Sequence, residues 1–153
     1  MPNTGRYLTS FVALFTITAP FIFDWNETHI YNPTWPGHAK FHNGQTMSQG
    51  VYLGLLTLYY TWRSSSPRSS SSSSASGCAS ASRELDDLFT AALVAEAYWA
   101  TQLAAWFFPD VTAADPPMDP EYFFQFYILS VASVLITAGY WVQAREVRKV
   151  KEE

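Results

Sequence analysis

The sequence predicts an all-α protein, an integral membrane four-helix bundle with both termini in the cytoplasm. Three observations predict this fold class. The 153-residue chain is 48% hydrophobic and only 14% charged. Its apolar residues gather in four runs, three of them near the roughly 20 residues that a membrane helix needs. Its basic residues lie almost entirely on one side of these runs. We expect a single membrane domain over residues 1–153, with spans at about 7–23, 39–62, 85–108 and 122–142.

Each predicted span follows from its local sequence. The first and fourth runs carry no charge. The second run is short by itself, but Pro36-Gly37 marks a helix start that extends the run to a length able to cross a bilayer. The third run contains a single charge between residues 88 and 108, which is Glu96. The chain therefore predicts four crossings, the second of them dependent on this extension.

Charge placement predicts which side each loop faces. If the spans alternate, the amino terminus, the loop after the second span and the carboxyl tail share one side, and they hold eight of the nine Lys and Arg residues. Only Lys40 falls on the other side. By the positive-inside tendency, the basic side is cytoplasmic. In a eukaryotic cell we expect the endoplasmic reticulum or another endomembrane, with the loop after the first span in the lumen or outside the cell.

A serine-rich stretch separates the second and third spans. Residues 64–82 are too polar to build a core, and they predict a disordered cytoplasmic loop. The single cysteine, Cys78, lies there, so the chain cannot form an internal disulfide or a site of four thiolates. Three acidic residues follow at the expected start of the third helix, where they would favour the helix dipole: Glu84, Asp86 and Asp87. A net charge of −4 gives no reason to expect nucleic acid as a partner.

A polar cluster between the first two spans is the strongest candidate for a functional site. Residues 24–42 read DWNETHIYNPTWPGHAKFH and contain all three histidines. His38 and His42, four residues apart on a helix, project from one face. Three further polar side chains continue this edge: Gln45, Gln49 and Tyr52. A polar edge within a membrane must face helices or water rather than lipid, so we expect it to line the bundle interior.

The histidines allow three interpretations. His29, His38 and His42 could hold a metal ion, although no Glu adjoins the first of the helical pair as it does in metalloproteases. Alternatively they could act as general acids and bases, because imidazole ordinarily titrates near neutrality, with Asp24 orienting one of them. The third interpretation is structural, with the rings bonded to loop carbonyls. The cofactor is therefore left unknown, with a metal ion as one of the possibilities.

Glu96 is a second candidate because an ionisable group near the middle of a span is costly and suggests function. At 1.5 Å per residue it lies roughly 18 Å below the lumenal end of its helix. This depth is too great for direct contact with the histidines. Gln49, Tyr52 or a hydroxyl group is a better-placed partner. We expect Glu96 to act either as a buried catalytic acid or as an interhelical hydrogen-bond acceptor.

The string from Asp24 to His42 resembles a family of small four-span membrane proteins from fungi and bacteria, grouped as a domain of unknown function. The shared signature is D-W-N-x-T-H followed by N-P-x-W-P-x-H-A-x-F-H. The resemblance implies the four-span layout and the importance of this loop, but no activity. The serine tract looks like an insertion. Matching signature positions are occupied by Asp24, Asn26, His29, Asn32, Trp35, His38 and His42.

Two functions fit these patterns best; a transporter fits less well, because four helices without internal repeats offer little machinery for alternating access unless the chain oligomerises. The first is a membrane enzyme acting on a lipophilic substrate, an isomerase, cyclase or oxygenase, because no serine or cysteine nucleophile lies near the cluster. The catalytic candidates are His38, His42, His29, Asp24 and Glu96. The substrate-binding candidates are Asn26, Asn32, Trp35, Gln45, Gln49, Tyr52 and Trp99. The alternative is a non-catalytic lipid- or sterol-binding protein or accessory subunit. The expected partners are the bilayer, a hydrophobic small molecule and a second copy of the chain.

Overall fold

The computed structural model describes residues 2–64, 74–112 and 124–152. Four α-helices account for most of them: α1 (Thr4–Phe23), α2 (Gly37–Trp62), α3 (Ser74–Ala105) and α4 (Phe124–Glu152). The described residues contain no strand, so the predicted all-α four-helix bundle is confirmed. Predictions for residues 65–73 of the serine tract and for 113–123 before the fourth span lie outside the described residues.

Successive helices pack side by side, and α4 returns to pack against α1. Residues near the start of α1 meet residues from the end of α2 and the early part of α3, which makes neighbouring helices antiparallel. The core between the helices contains Val12 of α1, Trp99 of α3 and Ile136 of α4, all at most 3% exposed. The bundle thus has one end with the chain termini and one end with the loop between α1 and α2.

Arg6 holds the terminal end together. Its guanidinium lies 2.6 Å from Glu84 Oε1, donates to the Thr61 carbonyl and lies over the Trp62 ring. The Arg6 side chain is 2% exposed and that of Glu84 is 11% exposed. Glu84 is therefore an ion-pair partner of α1. The prediction that Glu84 lies at the start of the third helix, where it would favour the helix dipole, is wrong because α3 begins ten residues earlier, at Ser74.

The early start of α3 also corrects the predicted serine loop. Residues 74–82 are helical, whereas the composition predicted a disordered loop over 64–82. The physical reason is packing, because Ala81 is buried with Leu88 and Val147 in a small apolar cluster. Tertiary burial of this kind overrides a composition that is unfavourable by itself.

Glycines determine how α2 faces the bundle. A Cβ at Gly54 would lie 2.5 Å from Ile17 Cγ1 and 2.8 Å from the Ala13 carbonyl, and a Cβ at Gly50 would lie 2.8 Å from the Thr16 carbonyl. The backbones of α1 and α2 therefore approach so closely that only glycine fits at these two positions. The buried face of α2 consists of small or flexible residues: Met47, Gly50, Gly54, Thr57 and Thr61.

This rotation overturns the expectation that the polar edge of α2 lines the interior. All five members of that edge are exposed: His38, His42, Gln45, Gln49 and Tyr52. The same helix cannot present both the glycines and the polar edge to α1, because the two stripes lie roughly 140° apart around the helix at 100° per residue. Close backbone packing of the glycines against α1 determines the rotation of α2, and the polar edge therefore points away from the bundle.

Two helical segments of the described chain, Thr4–Phe23 and Phe124–Lys149, are long and apolar enough to cross a membrane. α2 and α3 do not meet the same criterion within the described residues. The reason is compositional: α2 carries its polar edge, and α3 begins with serines and the charged segment around Glu84. The spans predicted at 39–62 and 85–108 are therefore helices, but their hydropathy alone does not mark them as membrane spans.

Candidate functional site

A cavity of about 520 Å³ opens at the end of the bundle opposite the chain termini. It lies between α1, α3 and α4 and is bordered by the loop that follows α1. Its walls are mainly aromatic and aliphatic: Phe15, Phe23, Trp99, Phe124, Ile128 and Leu129. A volume of this size, with apolar walls beside a set of polar groups, is typical of a small-molecule site.

Two repeated turns shape the loop that borders the cavity. The Asn26 side-chain oxygen accepts hydrogen bonds from the Thr28 backbone N–H at 2.9 Å and from its hydroxyl at 2.6 Å. Asn32 repeats the arrangement with Thr34, at 2.9 and 2.7 Å. The Asn32 side chain also donates to the Thr28 carbonyl at 3.2 Å, which joins the two turns. Asn and Thr favour such local side-chain-to-backbone bonds, so the loop holds its shape with its own residues.

Asp24 and His29 form a carboxyl–imidazole pair at the rim of the cavity. Their nearest atoms, Asp24 Oδ1 and His29 Nε2, are 3.8 Å apart. The other ring nitrogen, Nδ1, lies 2.8 Å from the Thr28 hydroxyl, and the Trp35 ring packs edge-on at 5.1 Å. These contacts orient the imidazole so that Nε2 faces the carboxyl group. The pair occupies the position that acid–base chemistry requires, next to a space for substrate.

Burial raises the pKa of the Asp24 carboxyl above its ordinary value of 3.8. The nearby His29 and a hydrogen bond from Asn43 Nδ2 at 3.4 Å act in the opposite direction without cancelling it. A raised pKa means that the neutral carboxyl group, a proton donor, is more accessible here than in water. Perturbed carboxyl groups beside a pocket are typical of functional sites, although ion pairs in the fold also perturb them.

Trp99 forms the floor of the cavity. Its indole N–H donates to the Thr16 hydroxyl at 3.0 Å, and its ring stacks on Phe15 at 5.8 Å with 4° between the planes. Tyr98 and Gln102 line the cavity beside it and are hydrogen-bonded to each other. One helical turn separates these two residues, so they present a polar edge to an apolar space.

The structure does not bring the three histidines together. His38 and His42 contact each other, with their Nε2 atoms 3.0 Å apart, on the exposed side of α2. His29 lies instead with Asp24 at the cavity, which neither helical histidine lines. Within the described residues, no group of three or more His, Cys, Asp or Glu side chains is arranged to hold a metal ion.

The chain matches a family described as a family of unknown function, DUF6640, over residues 8–152. This protein belongs to the DUF6640 family. The match covers nearly the whole chain, so the expectation of an uncharacterised family is confirmed. No curated protein and no solved structure matches the chain.

The cavity of this DUF6640 protein includes four of the predicted site residues: Asp24, Asn26, His29 and Trp99. Asn32 and Trp35 support the loop and the imidazole without lining the cavity. Glu96 is also absent from the lining. Its carboxylate accepts a hydrogen bond from the Thr137 hydroxyl of α4 at 3.3 Å, so its partner is a hydroxyl and neither Gln49 nor Tyr52.

Five polar lining residues of the DUF6640 protein were missed from the sequence: Thr28, Tyr98, Gln102, Thr112 and Gln125. A signal for two of them exists, since residues 95, 98, 99 and 102 follow the spacing of one helix face. Gln102 interrupts an otherwise apolar segment on that face. Gln125 lies at the start of α4, where no sequence pattern distinguishes it from an exposed polar residue at a helix end.

Proposed function

We propose that this protein is a small integral membrane enzyme that binds a lipophilic molecule in the cavity and moves protons with Asp24 and His29. The observation that carries the proposal is the carboxyl–imidazole pair at the rim of a largely apolar cavity. Isomerisation or cyclisation is the reaction class that fits this pair best. Asn26, Tyr98 and Gln102 would hold the polar part of the substrate.

The separation of the two groups favours a proton relay. The neutral Asp24 carboxyl would protonate one atom of the substrate while His29 Nε2 removes a proton from another. The proton would then return from the imidazole to the carboxylate across the 3.8 Å between them. Such a cycle leaves the number of protons and electrons unchanged, as a double-bond shift or a ring closure requires. Each well-placed acid or base contributes roughly 10²–10⁴-fold to the rate of such a reaction.

Membrane insertion is supported by the surface of the bundle. Only 39% of the apolar window of α1 and 22% of that of α4 is buried, so neither resembles the core helix of a soluble protein. Large apolar side chains are exposed on all four helices, among them Phe11, Leu55, Leu93 and Val134, at 56% or more. Exposed apolar side chains in this number favour a lipid or protein cover.

The orientation in the membrane is also a proposal. Among the described residues, the arginines and Lys149 lie at the terminal end of the bundle, and Lys40 lies at the cavity end. The positive-inside tendency then directs the terminal end to the cytoplasm and the cavity to the lumen or exterior. A cysteine introduced at exposed Thr34, with Cys78 replaced by Ser, should react with an impermeant thiol reagent only from the lumenal side. Labelling from the cytoplasmic side would reverse this orientation.

The binding step is tested by filling the cavity. Ala19 is buried in the cavity wall, and Ala97 is exposed on α3. We expect Ala19→Phe to remove the lipophilic compounds that co-purify with the wild-type chain in mild detergent, as measured by mass spectrometry. The control Ala97→Phe adds the same ring outside the cavity and should retain them. Equal retention by both variants would contradict binding in the cavity.

The catalytic step is tested on the captured compound. Wild-type protein should convert it, whereas Asp24→Asn and His29→Gln should bind it and convert it at least about 100-fold more slowly. Conversion by both variants at the wild-type rate would contradict the proposal.

Lipid or sterol binding without catalysis is the alternative, and the predominance of apolar walls favours it. In that case, the wild-type chain would release the compound unchanged after any incubation. The same captured compound therefore distinguishes the two functions.

A further inference from the structure

We infer that two copies of this chain share one zinc-type divalent metal ion, bound by His38 and His42 of both copies. The inference rests on the proposed membrane insertion, which would hold the two copies in the same orientation. It concerns the outer face of α2 and uses none of the residues that line the cavity.

The two imidazoles of one chain already form half of such a site. Their Nε2 atoms are 3.0 Å apart, and both rings are exposed. Two nitrogens bound to one zinc ion at about 2.0–2.1 Å in tetrahedral geometry lie roughly 3.3 Å apart. The distance between the two nitrogens would change by only a few tenths of an ångström on chelation. The proton shared by the two Nε2 atoms would leave this contact, with His38 taking the tautomer that is protonated at Nδ1.

Gln45 supplies the outer contact that histidine ligands ordinarily have. Its side-chain oxygen lies 3.2 Å from His42 Nδ1, so that nitrogen carries the proton and Nε2 presents its lone pair. Metal-bound histidines commonly donate their second N–H to an oxygen in this way. The nearest basic residue along the helix, Lys40, is two positions from each histidine, roughly 160° around the helix. The Lys40 side chain therefore projects from the opposite side of the helix.

Within the described residues, one chain does not complete the coordination shell. No third His, Cys, Asp or Glu joins the pair within the part of the chain that the structure describes. Structural zinc sites almost always have four ligands. A second copy of the same pair provides the missing two, both neutral nitrogen donors of the kind that zinc accepts.

The outer face of α2 has the pattern needed to bring a second copy there. Seven of its residues follow the alternating four- and three-residue spacing of a heptad: His38, His42, Gln45, Gln49, Tyr52, Leu56 and Tyr59. In a parallel pair of helices, residues at such positions meet their own counterparts. Two copies inserted in one direction have parallel α2 helices, so each histidine pair would meet the other.

The glutamines favour a copy of the same chain over lipid as the cover of this face. Gln45 and Gln49 are exposed on α2, and an amide facing hydrocarbon leaves its hydrogen bonds unmade. Because an amide both donates and accepts, Gln49 can bond to Gln49 of the second copy. Tyr52 and Tyr59, 64% and 57% exposed, add apolar contact area along the same line.

The test uses the full chain in detergent after treatment with a chelator, with Zn²⁺ as the only addition. Cys78→Ser is included throughout, so that the thiol cannot bind zinc. We expect one zinc per two chains and a zinc-dependent rise in the dimer fraction, measured by light scattering. His38→Ala and His42→Ala should abolish both effects. His29→Ala, the matched control, should retain them.

Further variants distinguish the metal-binding residues from the α2 surface that brings the two copies together. Gln49→Lys opposes two positive charges in the pair and should prevent dimerisation, whereas Gln49→Asn keeps the amide and should allow it. Gln45→Leu should weaken zinc binding about tenfold by removing the contact to His42. These side chains are exposed, so the melting temperature without metal should stay at the wild-type value.

Zinc binding that survives the loss of His38 and His42, or one zinc per chain without dimerisation, would overturn the inference. So would the absence of zinc binding by the wild-type chain. The zinc assay is independent of cavity filling by Ala19→Phe, so failure of one leaves the result of the other interpretable.

Discussion

Replacing Gly54 with alanine tests which face of α2 packs against α1. An added methyl group would lie 2.5 Å from Ile17 Cγ1 and 2.8 Å from the Ala13 carbonyl oxygen. A side chain can turn away from the methyl group, but a carbonyl within a helix cannot move without displacing α1. Gly44, on the same helix, is the matched control because a Cβ there would meet nothing within 4 Å.

The expected effects have opposite signs. Alanine is favoured over glycine within a helix by about 1 kcal/mol, which applies at both positions. Overpacking costs about 1–3 kcal/mol, which applies only at Gly54. Because the obstacle includes backbone, we expect the upper part of this range. Gly54→Ala should therefore lower the free energy of unfolding by about 1–2 kcal/mol, and Gly44→Ala should raise it by about 0.5–1 kcal/mol.

The measurement is reversible unfolding in mixed micelles, followed by circular dichroism. The two variants are expected to change the free energy of unfolding in opposite directions. An error common to both measurements therefore does not affect the conclusion about which face of α2 packs against α1. If both substitutions stabilise the protein equally, α2 does not pack through its glycines. The polar edge with His38 and His42 would then be free to face the interior, and the reasoning given for the outer face of α2 would fail.

Three further predictions concern charged side chains. Glu84→Ala leaves the Arg6 guanidinium buried without its partner and should lower the free energy of unfolding by about 3–5 kcal/mol. Glu146→Ala breaks an exposed pair and should lower it by at most about 1 kcal/mol. Similar losses for the two variants in denaturation experiments would contradict this reasoning. Because the folded state raises the Asp24 pKa, it holds that proton more tightly than the unfolded chain, and stability falls as the pH rises above 3.8. Asp24→Asn should flatten this pH dependence in melting curves without lowering stability at neutral pH; a steeper dependence would refute the assignment. Glu96→Gln should leave capture of the lipophilic compound unchanged, since Glu96 lies outside the cavity. Loss of the compound from the mass spectrum of this variant would indicate that Glu96 takes part in binding.

Most helices were predictable from the sequence because apolar runs and helix-breaking residues such as proline and glycine influence only the neighbouring chain. Uncharged runs predicted α1 and α4, and Pro36-Gly37 marked the start of α2, which begins at Gly37. The start of α3 was not predictable in this way. Residues 74–82 are helical because Ala81 is buried against Val147 of α4, and such a contact has no local sequence signature.

The rotation of α2 was the principal error, and it arose from a real ambiguity. The helix carries two stripes with the same spacing, one of glycines and small residues and one of polar side chains. A rule that sends polar groups inward selects the second stripe. Close backbone packing selects the first, because Gly50 and Gly54 admit α1 at a distance that no other residue allows. The sequence alone does not show which of these two effects contributes the larger free energy.

The polar loop was identified more reliably than the role of each member. Its Asn26 and Asn32 side chains form ordered turns with Thr28 and Thr34. The pattern could not separate His29, which lies at the cavity, from His38, which points away from it. That separation depends on where the chain reverses between α1 and α2, which is a property of the folded loop.

Asp24 and Arg6 show how the two ends of the bundle use buried charge differently. Arg6 is matched by Glu84 and by the Thr61 carbonyl, so its burial supports the fold. Asp24 is only partly compensated, because burial outweighs the effects of His29 and Asn43 on its pKa. Asparagine at this position would avoid the burial of a charge, so the stability of Asp24→Asn distinguishes a structural role from a catalytic one. If Asp24→Asn is at least as stable as the wild type and still captures the compound without converting it, the role of Asp24 is proton transfer. If it destabilises the bundle as Glu84→Ala does, Asp24 is part of the structural framework, and the proposed acid has to be sought elsewhere.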